Sequence, residues 1–147
     1  MKLTERLAWF MLAAMSILVV LLAITLGGLA VNHTLWGIGY WFPIRSEGEL
    51  VKAVIGGRGV TRMPGPIPCS MVAAGMLIVI GALFGRGYWL SDLILWAAAA
   101  VFAARGLMSW MPIWRKMTPQ EPFATYDQKF YGPLCLLLAL GLTAVAV

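Results

Sequence analysis

Three side chains of this sequence combine reactive chemistry with a position beside long apolar runs. His33 follows the first run, Arg105 lies near the end of the third, and Asp127 shortly precedes the fourth. Imidazole and carboxylate groups do most general acid–base catalysis, and a guanidinium binds carboxylates and other anions. An ionisable group at membrane depth needs a partner and is commonly functional. We therefore predict that Arg105 pairs with Asp127.

Aromatic side chains near these groups complete a candidate pocket, with His33 or Trp36 lining the same cavity as the ion pair. Its predicted members are His33, Trp36, Trp41, Arg105, Asp127 and Tyr131. A structural interpretation remains open at each position. The imidazole can bond a loop carbonyl, and the ion pair can hold a loop in place instead of clamping an anion or a lipid headgroup.

Other motifs carry weaker signals. Asp92 is a carboxylate within a predicted span, as is the residue that couples proton transport in small multidrug antiporters. Its position one turn inside the third run favours instead a local ion pair with Arg86. The glycine-rich segment 56–59 lacks the Gly-Lys-Ser/Thr ending of a phosphate-binding loop. The Gly81–Gly85 spacing permits close helix approach within the chain or in a homodimer.

The two cysteines and the single histidine limit metal and redox chemistry. Cys69 and Cys135 form no Cys-x-x-Cys pair, and we predict that both are free thiols. One histidine and two separated cysteines make a structural zinc site improbable, and one histidine cannot supply a bis-histidine haem. We therefore predict no metal and no resident cofactor, although a bound lipid or quinone-like molecule is compatible with the pocket.

Composition indicates which elements position these residues. The chain has 147 residues, of which 61% are hydrophobic and 12% charged, and its mean hydropathy is +0.86. Soluble domains are about 45–50% apolar and about 25% charged, so this chain is predicted to be a small polytopic membrane protein. Its net charge of +5 comes from basic residues between the apolar runs, which favours anionic lipid headgroups over nucleic acid as counter-ions.

Four runs are long enough to span a bilayer, for which about 20 apolar residues suffice. The predicted fold is all-α, a single compact membrane domain over residues 1–147 with a short interfacial helix at 47–55 in the first loop. The predicted spans are about 7–31, 68–85, 88–111 and 131–147, and loops 32–67 and 112–130 share one membrane face. The fourth span should start near Tyr131, because Pro133 fits only the first turn of a helix.

Basic residues predict the orientation. Lys2, Arg6 and Arg86 lie on the side of the termini, whereas eight lie on the side of the long loops: Arg45, Lys52, Arg58, Arg62, Arg105, Arg115, Lys116 and Lys129. The excess marks the cytoplasmic side, so the termini are predicted to be periplasmic in a bacterial inner membrane.

Two segments resemble a known family. The string from Phe123 to Cys135, with Asp127, Tyr131 and Pro133 inside it, and the His33–Trp36 segment are similar to the bacterial domain-of-unknown-function family 3995. That resemblance implies a small protein of four membrane helices and brings no established activity.

Two functions remain as hypotheses. The first is a non-catalytic accessory or assembly subunit of a larger inner-membrane complex, in contact with lipids, other membrane subunits or a second copy. The second is a membrane-embedded enzyme or lipophile-binding protein that uses the loop-face pocket. The absence of a complete catalytic constellation in the sequence favours the first.

Overall fold

The computed structural model describes residues 3–147 and is helical, with four helices long and apolar enough to cross a membrane. Met1 and Lys2 lie outside the described residues. Lys2 is one of the three basic residues that were counted on the side of the termini. The elements are α1 (Leu3–Gly37), α2 (Glu47–Val54), α3 (Pro66–Phe84), α4 (Trp89–Met108), α5 (Pro112–Met117), α6 (Phe123–Tyr126), a π-helical turn (Asp127–Tyr131) and α7 (Gly132–Ala146). The predicted all-α membrane fold is confirmed.

The bundle is built from two closely packed pairs, α1 with α3 and α4 with α7. Between the pairs lies a core of Leu and Val side chains, in which Leu26, Leu83, Leu95 and Leu142 are fully buried. Outward-facing residues of the same helices are equally apolar, as expected where the surrounding solvent is lipid. The chain turns between α3 and α4 at Gly87, whose φ of +88° is open to glycine at little cost.

The first helix runs beyond both predicted ends, from Leu3 to Gly37. The polar residues that were expected to begin a loop instead stay helical, because His33 and Thr34 bond the carbonyls of Leu29 and Ala30 one turn earlier. Neither proline nor glycine occurs between Gly28 and Gly37. As a result, His33 projects from a rigid helix.

The helical segment that is long and apolar enough to form the fourth span runs from Phe123 to Ala146 and includes α6, the π turn and α7, so it extends beyond the predicted start near Tyr131. A proline inside an α-helix clashes with the carbonyl four residues earlier, and this clash is the reason for the predicted start. The chain avoids it with one wider π turn, in which the N–H of Gly132 bonds the carbonyl of Asp127 five residues back. This helical segment is 24 residues long, or about 36 Å at helical rise.

Part of each long loop is helical, and the two loops pack together. The apolar face of α2 is covered by the chain, with Leu50 and Val51 buried beside α6. The hydroxyl of Tyr131 donates to the carbonyl of Ala53 at 3.0 Å, and the N–H of Gln120 donates to the carbonyl of Gly56 at 3.2 Å. The predicted loop of residues 112–130 contains α5, α6 and most of the π turn.

Candidate functional site

The predicted ion pair is present at the loop end of the bundle. Arg105 Nη2 lies 2.6 Å from Asp127 Oδ1, and the Asp127 side chain is 3% exposed. Arg105 lies in the last turn of α4 and Asp127 at the start of the π turn, on two helices that pack tightly. This pair therefore joins the third span to the fourth.

Two further side chains complete what we call the Arg105 cluster: Arg105, Ser109, Trp114 and Asp127. Arg105 Nη1 donates to Ser109 Oγ at 3.1 Å, and Trp114 Nε1 donates to Asp127 Oδ2 at 2.8 Å. The guanidinium also lies over the Trp114 ring, with Cζ 5.2 Å from the ring centroid, a favourable cation–π arrangement. Both carboxylate oxygens thus have a donor from the protein.

Two glycines allow this close approach of α4 and α7. A Cβ on Gly106 would lie 2.7 Å from Leu136 Cγ, and a Cβ on Gly132 would lie 2.6 Å from Ser109 Oγ. Any larger side chain would push the helices apart, because packed interiors leave no room for an extra methyl group. Each glycine lies next to a residue that forms the cluster or the π turn.

The sequence did not indicate the roles of Ser109, Trp114 and the two glycines. Ser109 follows Arg105 by four residues, a spacing that puts two side chains on one helix face, and this signal was available. Nothing local marks Trp114, which reaches Asp127 only because the chain reverses between α4 and α6.

His33 and Trp36 lie in a different place, which we call the His33 cleft. It has a volume of about 180 Å³ and is lined by His33, Trp36, Cys69 and Val72, with apolar side chains of α2 and the first loop between them. Neither Arg105 nor Asp127 lines this cleft. The expectation that His33 or Trp36 shares a cavity with the ion pair is therefore wrong, because α1 packs on α3 whereas α4 packs on α7.

The other two predicted pocket residues also separate. Trp41 lines a wide cavity of about 520 Å³ formed by the exposed segment 39–45 of the first loop. Tyr131 lies between the loops, where it contacts the rings of Phe123 and Tyr126 and bonds Ala53. The six residues thus occupy one end of the bundle without forming one pocket.

The remaining candidates have local partners. Asp92 accepts a hydrogen bond from the N–H of Gly87 at 3.4 Å, in place of the predicted pair with Arg86. Cys69 and Cys135 are free thiols, as predicted. Within residues 3–147, no three His, Cys, Asp or Glu side chains lie together in a way that could hold a metal ion.

One comparison with known proteins gives a match. Residues 26–142 match the family described as "Protein of unknown function (DUF3995)", which covers both the His33 cleft and the Arg105 cluster. No curated protein and no solved structure matches the chain.

Proposed function

The chain belongs to the DUF3995 family, and from its geometry we propose that it is a non-catalytic accessory or assembly subunit of a larger complex in the bacterial inner membrane. The observation that carries this proposal is the closed state of the Arg105 cluster. The Asp127 side chain is 3% exposed and accepts hydrogen bonds on both oxygens. A buried carboxylate with a protein donor on each oxygen is held by the fold and is little accessible to a substrate.

The surface at the loop end of the bundle carries positive charges that suit contact with other molecules. Six basic residues of the loops are exposed: Arg45, Lys52, Arg58, Arg62, Lys116 and Lys129. Exposed cations at the ends of spans attract anionic lipid headgroups and acidic loops of a partner. Contacts of this kind need no catalytic group on this chain.

The membrane-facing surface offers a place for a neighbouring helix or for a second copy. Gly75 and Gly81 of α3 are exposed, and a Cβ at either position would meet nothing within 4 Å. Packing inside the chain therefore does not account for Gly81, the first residue of the predicted Gly81–Gly85 motif. Small outward-facing residues let a second helix approach closely in a bilayer.

The proposal is tested by removing the chain from its native membrane. After gentle solubilisation, we expect it to migrate with larger membrane subunits in a native gel, and deletion of the chain should shift that complex to a lower mass. Gly81→Leu should weaken the association, while Ala144→Leu, which enlarges an exposed residue of α7, serves as a control. Migration of the chain at its own mass, with no change in any larger complex upon deletion, would contradict the proposal.

The enzyme alternative has less support from the geometry. Acid–base catalysis by His33 and Asp127 requires both groups in one pocket, whereas the two lie in separate parts of the loop end. Ligand binding at the His33 cleft alone does not require that arrangement.

The proposed orientation, with both termini in the periplasm, rests on the eight basic residues of the loop side. A reporter fused after Val147 should then be active only as a periplasmic reporter. Activity of a cytoplasmic reporter at the same position would reverse the orientation.

A further inference from the structure

His33 presents one ring nitrogen that the protein does not use. Its Nδ1 lies 2.8 Å from the carbonyl oxygen of Leu29. A carbonyl oxygen only accepts hydrogen bonds, so Nδ1 carries the proton of the neutral ring, and Nε2 carries a lone pair. Within residues 3–147, no protein group bonds Nε2. His33 therefore gives the lining of the cleft an imidazole whose second nitrogen has no donor among the described residues.

The other polar groups of the cleft are already paired. Trp36 Nε1 donates to the carbonyl of Phe42 at 2.7 Å, and Cys69 Sγ donates to the carbonyl of Pro64 at 3.5 Å. The Trp36 ring itself lies beside the imidazole, with 4.9 Å between the centroids and a tilt of 54°. The cleft thus offers an aromatic wall, apolar surroundings and one acceptor.

The volume of the cleft fits a single ring. It is about 180 Å³, and an apolar cavity of about 150 Å³ is known to take up benzene. An aromatic ring in this space would meet the Trp36 ring in a tilted or offset arrangement, which aromatic pairs prefer.

A second depression adjoins the cleft and lies between α3 and α4. This α3–α4 groove, which we define by Val72, Met76, Ile78, Val101 and Phe102, has a volume of about 410 Å³ and an almost wholly apolar lining. Val72 lines both the cleft and the groove. The two depressions therefore adjoin at this side chain, which places the groove within reach of a hydrocarbon tail attached to a ring in the cleft.

We propose that the His33 cleft and the α3–α4 groove together bind a lipid with a hydroxylated aromatic ring and a hydrocarbon tail. The ring hydroxyl donates to His33 Nε2, the ring packs on Trp36, and the tail follows the groove. This site goes beyond the assembly role, because it uses neither the Arg105 cluster nor Gly81, although Gly75 also lines the groove.

The single histidine makes a direct test possible. Untagged chain in detergent micelles at a pH of about 8, where an ordinary imidazole is neutral, is titrated with para-decylphenol, and the imidazole nitrogens are followed by NMR. We expect the Nε2 signal to shift as it accepts a hydrogen bond, while Nδ1 stays protonated. At equal mole fraction in the micelle, para-decylanisole, which lacks the hydroxyl donor, should leave Nε2 unshifted. Equal shifts with both compounds, or none with either, would overturn the proposal.

Two variants test the parts of the site separately. His33→Phe keeps a ring and removes the acceptor, and it should weaken the binding of para-decylphenol about fivefold to tenfold, the usual effect of one neutral hydrogen bond. Val101→Trp fills part of the groove at a residue that does not line the cleft. It should weaken para-decylphenol binding while leaving that of tail-free para-ethylphenol unchanged, and Leu137→Trp on the exposed face of α7 is the control.

Decanol distinguishes a ring site from a general alcohol site. It has the same tail and a hydroxyl but no ring, and it should bind at least about tenfold more weakly than para-decylphenol, since the aromatic contacts are lost. Binding of decanol equal to that of para-decylphenol, or an effect of Leu137→Trp as large as that of Val101→Trp, would contradict the proposal.

Discussion

The Arg105 cluster and the His33 cleft lie at the same end of the bundle but differ in how the chain satisfies their polar groups. In the cluster, a carboxylate with 3% exposure receives donors from Arg105 and Trp114. In the cleft, an imidazole with one hydrogen-bond partner in the protein lines an open cavity. A polar group in an apolar setting is stable only when it is bonded. The cluster therefore serves the fold, whereas the cleft is suited to a ligand.

The difference follows from how the helices meet. At the cluster, Gly106 and Gly132 bring α4 and α7 into contact and leave no space between them. At the cleft, α1 and α3 meet at Gly37 and Cys69, where a Cβ on Gly37 would lie 3.2 Å from Cys69 Cβ. The segment 63–64 and the end of α2 then border the opening without filling it. Close packing thus stops at the entrance to the cleft.

The largest effect is expected from Arg105→Ala. The substitution leaves the buried Asp127 carboxylate without its counter-ion, and breaking such a pair costs about 3 kcal/mol of unfolding free energy. Unfolding in mixed detergent micelles with increasing dodecyl sulfate measures the change. Arg86→Ala, at an exposed position in the turn between α3 and α4, is the control and should unfold like the parent chain. If both variants lose the same unfolding free energy, the Arg105 cluster contributes no more to stability than an exposed arginine does.

Gly132→Ala should have the next largest effect. Its methyl group would lie 2.6 Å from Ser109 Oγ and 2.9 Å from the Asp127 carbonyl oxygen, and overpacking of this kind costs about 2 kcal/mol. The same unfolding assay applies. Gly81→Ala, which enters open space, should be neutral or slightly stabilising. A neutral Gly132→Ala would show that the two helices do not depend on close contact here.

Trp114→Phe tests the second donor to Asp127. The ring is largely kept while the Nε1 hydrogen bond is lost, and a hydrogen bond to a charged group contributes about 1.5 kcal/mol. Trp110→Phe removes an indole N–H from a tryptophan that is 44% exposed and should change the stability little. If the two variants are equally stable, the carboxylate does not need both donors.

The smallest effect on stability is expected at the cleft. His33→Phe removes one hydrogen bond within α1 and keeps an aromatic ring, so the loss should stay below about 1 kcal/mol. The unfolding assay compares it directly with Arg105→Ala. A loss as large as that of Arg105→Ala would mean that His33 also serves the fold, and the contrast between the two regions would disappear.

Much of the architecture could be predicted from the sequence because hydropathy acts locally. An apolar run of sufficient length prefers lipid whatever its neighbours are, and an arginine within such a run requires a partner. These two arguments were enough to predict the four spans and the Arg105–Asp127 pair, since Asp127 is the acid beside the start of the predicted fourth span.

The predicted helix ends were less accurate, because local rules gave the wrong result at two positions. His33 and Thr34 are compatible with a loop, yet each bonds a carbonyl one turn earlier and continues α1. Pro133 predicted a helix start, yet a π turn accommodates it inside a longer span. Both outcomes depend on small differences in backbone free energy that packing decides.

The sequence by itself determined that this chain is an all-helical membrane protein, that its basic residues collect on one side and that its ion pair links two helices. Only the tertiary structure decided that the six predicted pocket residues separate into a closed cluster, an open cleft and two loop positions. The reason is that membrane helices are apolar on every side, so hydropathy does not specify how each one is rotated. Close contacts such as those at Gly106 and Gly132 set that rotation, and they arise between residues distant in sequence.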